Sequence, residues 1–204
     1  MNILAIGSHP DDIEFGCGGM LIKYARKGHR VYLLVMTEGG QGGDPGVRRA
    51  EQERAAAILG ARKVLWGDYR DTEIPAGRPL IHRLEDVVRS VAPDFIFIHY
   101  QDDTHQDHRH LASATFSATR YTRNVLCYEG PTTLNFIPSV YVDIETVLED
   151  KMAALRAHES QVMKTNIENL SIVDLARSSA HFRGIQGRVR NAEAFSPVRL
   201  FINI

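Results

Sequence analysis

The sequence predicts an α/β fold in which a mainly parallel sheet is covered by helices on both faces. Three observations carry that expectation. Short β-branched or aromatic runs alternate along the chain with amphipathic stretches. Runs such as Leu33-Leu34-Val35 are apolar at consecutive positions, so both faces of the strand must be covered. The alternation persists for most of the chain, which is the pattern of strands joined by crossover helices. With 204 residues, and no repeat, low-complexity tract or Pro/Gly/Ser-rich linker, the chain reads as one domain over residues 1–204.

Each element has a local reason. A first strand is expected over Asn2–Gly7 and a first helix over Gly18–Lys27, which Gly28 can end in the left-handed conformation. Strand Arg30–Met36 leads into the glycine-rich stretch Gly39 to Gly46, a loop of suitable length to reach a helix over Val47–Leu59. Gly60 can stop that helix as Gly28 stops the first. Strand Lys63–Trp66 and helix Leu80–Val91 follow, and Pro93 separates the latter from strand Asp94–His99. Helix Arg109–Tyr121, strands Asn124–Tyr128 and Ser139–Asp143, helices Val147–Met163 and Ile167–Phe182, and strand Val198–Asn203 complete the expected order.

Composition excludes several classes. Lys and Arg total 24 against 25 Asp and Glu, a net charge of -1. A bulk nucleic-acid binder needs a basic excess to displace counterions from phosphates. A hydrophobic fraction of 44% with 24% charged residues is that of a folded globular chain. No apolar run approaches the ~20 residues of a membrane span, and the start of the chain lacks the basic lead of a signal peptide. Only Cys17 and Cys127 are present, which suits a reducing compartment, so a cytoplasmic protein is expected. Nine histidines are the unusual feature.

Their positions make them informative. In an open α/β sheet the site lies beyond the carboxyl ends of the strands. After the first strand comes Ser8-His9-Pro10-Asp11-Asp12. A dinucleotide-binding fold would place a G-x-G-x-x-G phosphate cradle there, whereas two adjacent carboxylates repel phosphate. After the fourth strand comes Asp102-Asp103-Thr104-His105-Gln106-Asp107-His108-Arg109-His110. Both loops should face one crevice. Two imidazoles and a carboxylate suit a catalytic Zn²⁺ with a position left for water, with Fe²⁺ as the competing metal. A second carboxylate beside such a metal can serve as general base. His105 can polarise a substrate oxygen, with Asp107 fixing its tautomer.

His9-Pro10-Asp11-Asp12 paired with His105-Gln106-Asp107-His108 resembles the PIG-L/LmbE-like family of metal-dependent N-deacetylases. The resemblance continues through Thr37-Glu38-Gly39, Arg48-x-x-Glu51 and Lys151-x-x-Ala154-Leu155-x-x-His158-x-Ser160-Gln161. It extends to Arg183-Gly184, Gly187 and Ala192-Glu193-Ala194-Phe195. It implies a Rossmann-like three-layer fold, with His9, Asp12 and His108 as zinc ligands and Asp11 as general base. It further implies that His105 stabilises the oxyanion or protonates the leaving amine, with Asp107 as its carboxylate partner, and that Arg48 contacts substrate. The chain departs from the pattern at Gly40, where many members carry glutamate, which puts in doubt any substrate contact made from that loop.

Other positions have plainer readings. Arg48 and Glu51 are spaced for an ion pair on one helix face, which competes with the substrate role. Asp102 and Asp103 are expected as turn formers, one of them alternatively orienting a metal ligand. His110 belongs on a solvent face, His158 in a structural position and Cys17 beneath the site. The Arg183–Arg190 segment is open between a phosphate-binding wall and a subunit contact. The expected activity is metal-assisted hydrolysis of the N-acetyl group of an amino sugar, an N-acetylglucosamine-type glycoside or conjugate. Two alternatives stand beside it: an inactive carbohydrate- or nucleotide-binding module, and a non-haem iron enzyme using the same two-His-one-Asp set. The partner expected is a small molecule, not nucleic acid or membrane, and assembly into a homo-oligomer is left open.

Overall fold

The computed structural model describes residues 1–202. In chain order its elements are β1 (Asn2–Gly7), α1 (Asp12–Arg26), β2 (Arg30–Thr37), α2 (Pro45–Leu59), β3 (Lys63–Tyr69), α3 (Arg78–Val91) and β4 (Phe95–His99). There follow α4 (Gln106–Ala118), β5 (Val125–Tyr128), β6 (Val140–Asp143), a 3₁₀ turn at Glu145–Val147, α5 (Leu148–Arg156), α6 (Ile172–Gly187) and β7 (Ala192–Arg199). The sheet order is β3-β2-β1-β4-β5-β7-β6. The first five strands pair in parallel and β7 runs antiparallel to both β5 and β6.

Strand periodicity separates two cores. Ile3, Ala5, Leu33 and Phe97 face α1, α2, α5 and α6, where Ile13, Leu21, Leu59 and Met152 meet them. Leu4, Ile6, Leu34 and Ile96 face α3 and α4, where Leu80, Leu84 and Leu111 complete a second core. Successive side chains of a strand point to opposite faces, so a central strand must be apolar at every position. The fold is therefore the expected three-layer, Rossmann-like arrangement. The chain moves outward from β1 to β2 and β3, then returns to the other side of β1 at β4. That reversal opens a crevice between the carboxyl ends of β1 and β4.

Several boundaries differ from the sequence reading, four of them for a clear tertiary reason. Helix α1 starts at Asp12 rather than Gly18, and two of its three glycines, Gly16 and Gly19, face neighbours too close to admit a Cβ. The expected helix Val147–Met163 ends at Arg156, since the Ser160 amide donates to Glu51 instead of continuing the helical ladder. Helix α6 begins at Ile172 rather than Ile167, fixed by a capping box between Ser171 and Asp174. The last strand spans Ala192–Arg199 rather than Val198–Asn203, whose Asn203 lies outside the described residues. Strand β6 pairs only with residues 192–195. Pro197 thus sits where β7 is an edge, and an edge tolerates the missing N–H.

Gly16 shows why the helix glycines matter. A Cβ there would overlap the ring of Tyr128, and that tyrosine is fully buried. Ala is ordinarily favoured over Gly inside a helix by about 1 kcal/mol, whereas overpacking costs about 1–3 kcal/mol. Gly16→Ala is therefore expected to destabilise the protein despite its better helix propensity. Chemical denaturation measures the balance, and an unchanged or raised midpoint would contradict the packing argument.

Candidate metal centre

The crevice is built from three strand ends. The turn after β1 carries His9, Pro10 and Asp11 into the first turn of α1, where Asp12 sits. Asp11 adopts φ 88 and ψ -23, a left-handed conformation that costs a non-glycine residue about 1–3 kcal/mol. Arg48 from α2 braces that turn. Its guanidinium donates to the Pro10 carbonyl at 2.9 Å and to the Gly39 carbonyl at 2.7 Å, and lies 3.4 Å from Asp11 Oδ2. Gly39, at φ +66, leaves the room this requires, because a Cβ there would overlap the guanidinium. Arg48 is thus buried and forms no ion pair with Glu51, which instead accepts from Ser160.

His9 Nδ1, His108 Nε2 and the Asp12 carboxylate converge. The two ring nitrogens are 3.4 Å apart. Asp12 Oδ2 lies 3.4 Å from His9 Nδ1, and Oδ1 lies 3.5 Å from His108 Nε2. Donors at ~2.0–2.1 Å from a tetrahedral cation are separated by about 3.4 Å. The two imidazole nitrogens and the two oxygens of Asp12 lie near that spacing, so the three side chains can hold a divalent cation once protons are lost. Asp12 is held in place as an acceptor, its Oδ2 taking the His9 backbone N–H at 2.7 Å.

Each imidazole presents its other nitrogen to a carboxylate. His9 Nε2 lies 3.0 Å from Asp71 Oδ1 and 3.3 Å from Asp107 Oδ2. His108 Nδ1 lies 3.1 Å from Asp103 Oδ2. Such pairing fixes which nitrogen is left to bind a metal and raises its basicity. Asp107 also accepts the backbone N–H groups of Thr72 and Ile74, at 2.8 and 3.2 Å. The pairing of Asp107 with His105 is therefore corrected: its carboxylate serves His9 and the loop after β3. The His105 ring instead caps α4, its Nδ1 accepting the Asp107 backbone N–H at 3.2 Å.

The electrostatics describe a pocket short of positive charge. Burial alone would lower the pKa of His108, but Asp12 and Asp103 outweigh it and raise the group to about 9. Burial opposes His9 likewise, yet Asp107, Asp12 and Asp71 hold it well above the usual histidine range. Asp12 is held well below the carboxylate range against burial by His108 and His99. Asp103 falls to about 2, with His108 overcoming desolvation. Without a metal, protons on the histidines neutralise the carboxylates; a cation would replace those protons, so binding releases them. Asp11 behaves differently. Burial lifts it to about 6, only partly offset by His158 and Arg48.

Some residues of the site escaped the sequence reading. His99, the last residue of β4, stacks on His108 at 3.9 Å between centroids and accepts the Ser8 backbone N–H at 3.0 Å. Burial, with His108 beside it, lowers its pKa to about 4, so it is neutral. Asp71 was missed because β3 runs three residues past the expected Trp66. Residues after each strand were the right ones to inspect, and Asp71 stands two beyond the true end. Asp103 fits both readings, its Oδ1 accepting the His105 backbone N–H at 2.8 Å in a turn while its Oδ2 faces His108 Nδ1. His158 is fully buried with its Nε2 3.6 Å from Glu14 Oε2, and it lies near enough to Asp11 to lower that group's pKa. His110 is not a free surface residue, since its Nδ1 lies 2.8 Å from the Ile74 carbonyl. In the C-terminal segment, Arg183 is committed to Glu129 at 2.5 Å.

A sheet reversal holding two imidazoles, a carboxylate and a further carboxylate in one cleft defines a candidate metal-dependent α/β enzyme. The chain belongs to the PIG-L family: residues 4–119 match the family model described as GlcNAc-PI de-N-acetylase. It is 37% identical to an uncharacterised deacetylase of Escherichia coli strain K12, covering 78% of this chain and 90% of that one. It is 30% identical to a diacetylchitobiose deacetylase of Thermococcus kodakarensis, covering 78% and 69% respectively. At 26% identity it also resembles a 4-oxalmesaconate hydratase of Pseudomonas putida, over 78% of this chain and 73% of that one. Among solved structures, a conserved protein of Thermus thermophilus matches with a TM-score of 0.87 at 24% identity, over 99% and 96% of the two chains. The N,N'-diacetylchitobiose deacetylase of Pyrococcus horikoshii matches at 0.85 and 28%, over 97% and 83%. Among the described residues, no helix is long and apolar enough to cross a membrane.

Proposed function

We propose that this protein removes the acetyl group from an N-acetylated amino sugar of the N-acetylglucosamine type, giving acetate and a free amine. The observation that carries the reading is the convergence of His9 Nδ1, His108 Nε2 and Asp12 beside the poised carboxylate of Asp11. His9, Asp12 and His108 would hold Zn²⁺, with Fe²⁺ the competing metal. When bound, the cation polarises the acetyl oxygen and acidifies water. The identities to the two deacetylases exceed the identity to the hydratase, which favours amide hydrolysis over hydration.

Asp11 lines the cleft and takes the proton of the attacking water as the new O–C bond forms. It returns that proton to the amide nitrogen as the C–N bond breaks, so the amine leaves neutral. His105 is the oxyanion donor. Burial, with His9 and His108 nearby, lowers its pKa, so the ring is neutral rather than an imidazolium. Its Nδ1 accepts the Asp107 N–H, which places its own proton on Nε2 as the donor. Asp107 acts through His9, and Arg48 acts by holding the Asp11 turn rather than by recognising substrate. Residues 1–204 form one catalytic domain in this reading, and two buried free cysteines suit a reducing, cytoplasmic setting.

The test is acetate release. Protein loaded with Zn²⁺ should liberate acetate from N-acetylglucosamine glycosides, and chelation followed by dialysis should abolish the release. Hydration activity without acetate release from any N-acetylated sugar would overturn the reading.

A further inference from the structure

We infer that His99 is a positioning residue for the metal centre: its ring takes the place of the β1–β4 ladder where those strands part, and so holds the first motif against the second. The inference rests on the metal-centre part of the reading above and not on the acetyl chemistry. The last matched pair of the β1–β4 ladder is Ala5 with Phe97, whereas β2 stays paired with β1 as far as Gly7 and β5 with β4 as far as His99. The crevice therefore opens between two strand ends whose ladder has stopped. His9 and Asp12 follow one of them, and His108 follows the other.

One side chain spans the gap. His99 Nε2 accepts the Ser8 backbone N–H at 3.0 Å, and both residues are buried. On its other side Ser8 is tied to β2, its carbonyl accepting the Thr37 N–H at 2.9 Å and the Thr37 hydroxyl at 3.0 Å. The residue before His9 is thus clamped from both neighbouring strands. The His99 ring also lies nearly parallel to that of His108, with 3.9 Å between centroids and 10° between planes. The fully buried Tyr128 backs it at 5.0 Å. Its Nε2 stands 3.3 Å from Asp12 Oδ2, so the ring limits how far that carboxylate can swing. Metal ligands from both motifs therefore touch one ring.

Packing alone does not account for a histidine here. Its Nδ1 is buried with no hydrogen-bond partner among the described residues, a cost that a phenylalanine of similar shape would avoid. Phenylalanine would instead leave the Ser8 N–H unpaired. The position needs an acceptor for that N–H and a flat face for His108 in the same side chain, and an imidazole supplies both.

The experiment reads metal rather than turnover. The full chain is stripped with a chelator and titrated with Zn²⁺ against a competing chromophoric chelator, and the visible absorption of bound Co²⁺ reports coordination geometry. His99→Phe keeps the flat ring and removes the acceptor. It should weaken Zn²⁺ binding by about tenfold or more, the scale on which residues that orient metal ligands act, and should alter the Co²⁺ spectrum. His99→Gln restores an acceptor and should recover part of the loss. Thr37→Val loosens Ser8 from the opposite side and should weaken Zn²⁺ in the same sense by less, which decides the matter if His99→Phe does not fold. A His99 that served only the fold would lower thermal stability yet leave the Zn²⁺ affinity and Co²⁺ spectrum of folded His99→Phe as in the wild type, and that result would overturn the inference. Wild-type affinity in Thr37→Val, or His99→Gln binding no better than His99→Phe, would overturn it too. A wild type that binds Zn²⁺ and releases no acetate loses the deacetylase reading, while the three variants still decide the role of His99. A wild type that binds no Zn²⁺ removes both.

Discussion

Asp11→Asn is expected to lower kcat/KM on an N-acetylated amino sugar by about 10²–10⁴-fold, the contribution of a general base. Bound metal should stay at the wild-type stoichiometry. Asn is the informative replacement, because it tolerates the left-handed conformation that Asp11 adopts at φ 88. Strain and packing are thereby preserved while the proton acceptor is lost. The pH profile gives a second readout. The working form of Asp11 is the carboxylate, so wild-type activity must fall as pH drops through its pKa. Burial lifts that pKa to about 6, and a cation beside it favours the charged form, which moves the acid limb to lower pH. Asp11→Asn should have no such limb. Turnover near the wild-type rate in the variant would remove Asp11 as the base.

His108→Ala should instead empty the metal centre. The variant removes one of three donors and leaves Asp12 and Asp103 facing a gap, so metal content after dialysis should fall well below one per chain. Activity should fall with it and recover only partly in excess metal. Asp103→Asn touches the same ring from behind and should weaken metal affinity by about 10–100-fold, as outer partners of metal-bound histidines do. The graded pair distinguishes a ligand from a residue that orients one. Unchanged stoichiometry in His108→Ala, with a thermal transition confirming the fold, would take His108 out of the coordinating set.

Much of this architecture was legible in the chain. The parallel sheet followed from runs such as Leu33-Leu34-Val35, because only a strand covered on both faces is apolar at consecutive positions. The two motifs were legible because the carboxyl ends of β1 and β4 flank the sheet reversal, which brings residues nearly a hundred positions apart into one cleft. Boundaries were less legible where distant groups set them. Glu51 diverts the Ser160 amide and ends a helix that periodicity would continue. Tyr128 rewards glycine at position 16, where propensity alone argues against a helix.

The sequence by itself determined the fold class, the strand ends that carry chemistry and the residue types assembled there. Only the tertiary structure decided the pairings. Asp107 serves His9 rather than His105, Asp103 backs His108, Asp71 joins from a third strand end, and Arg48 braces the Asp11 turn. The physical reason is one of range. Periodicity and capping act over a few residues and are written in local order. A contact of about 3 Å between side chains on different loops depends on how the strands are ordered and how each loop leaves the sheet. Spacing along the chain brings His105 and Asp107 within two positions, yet their backbone turns the carboxylate away toward His9 and the amide toward the ring.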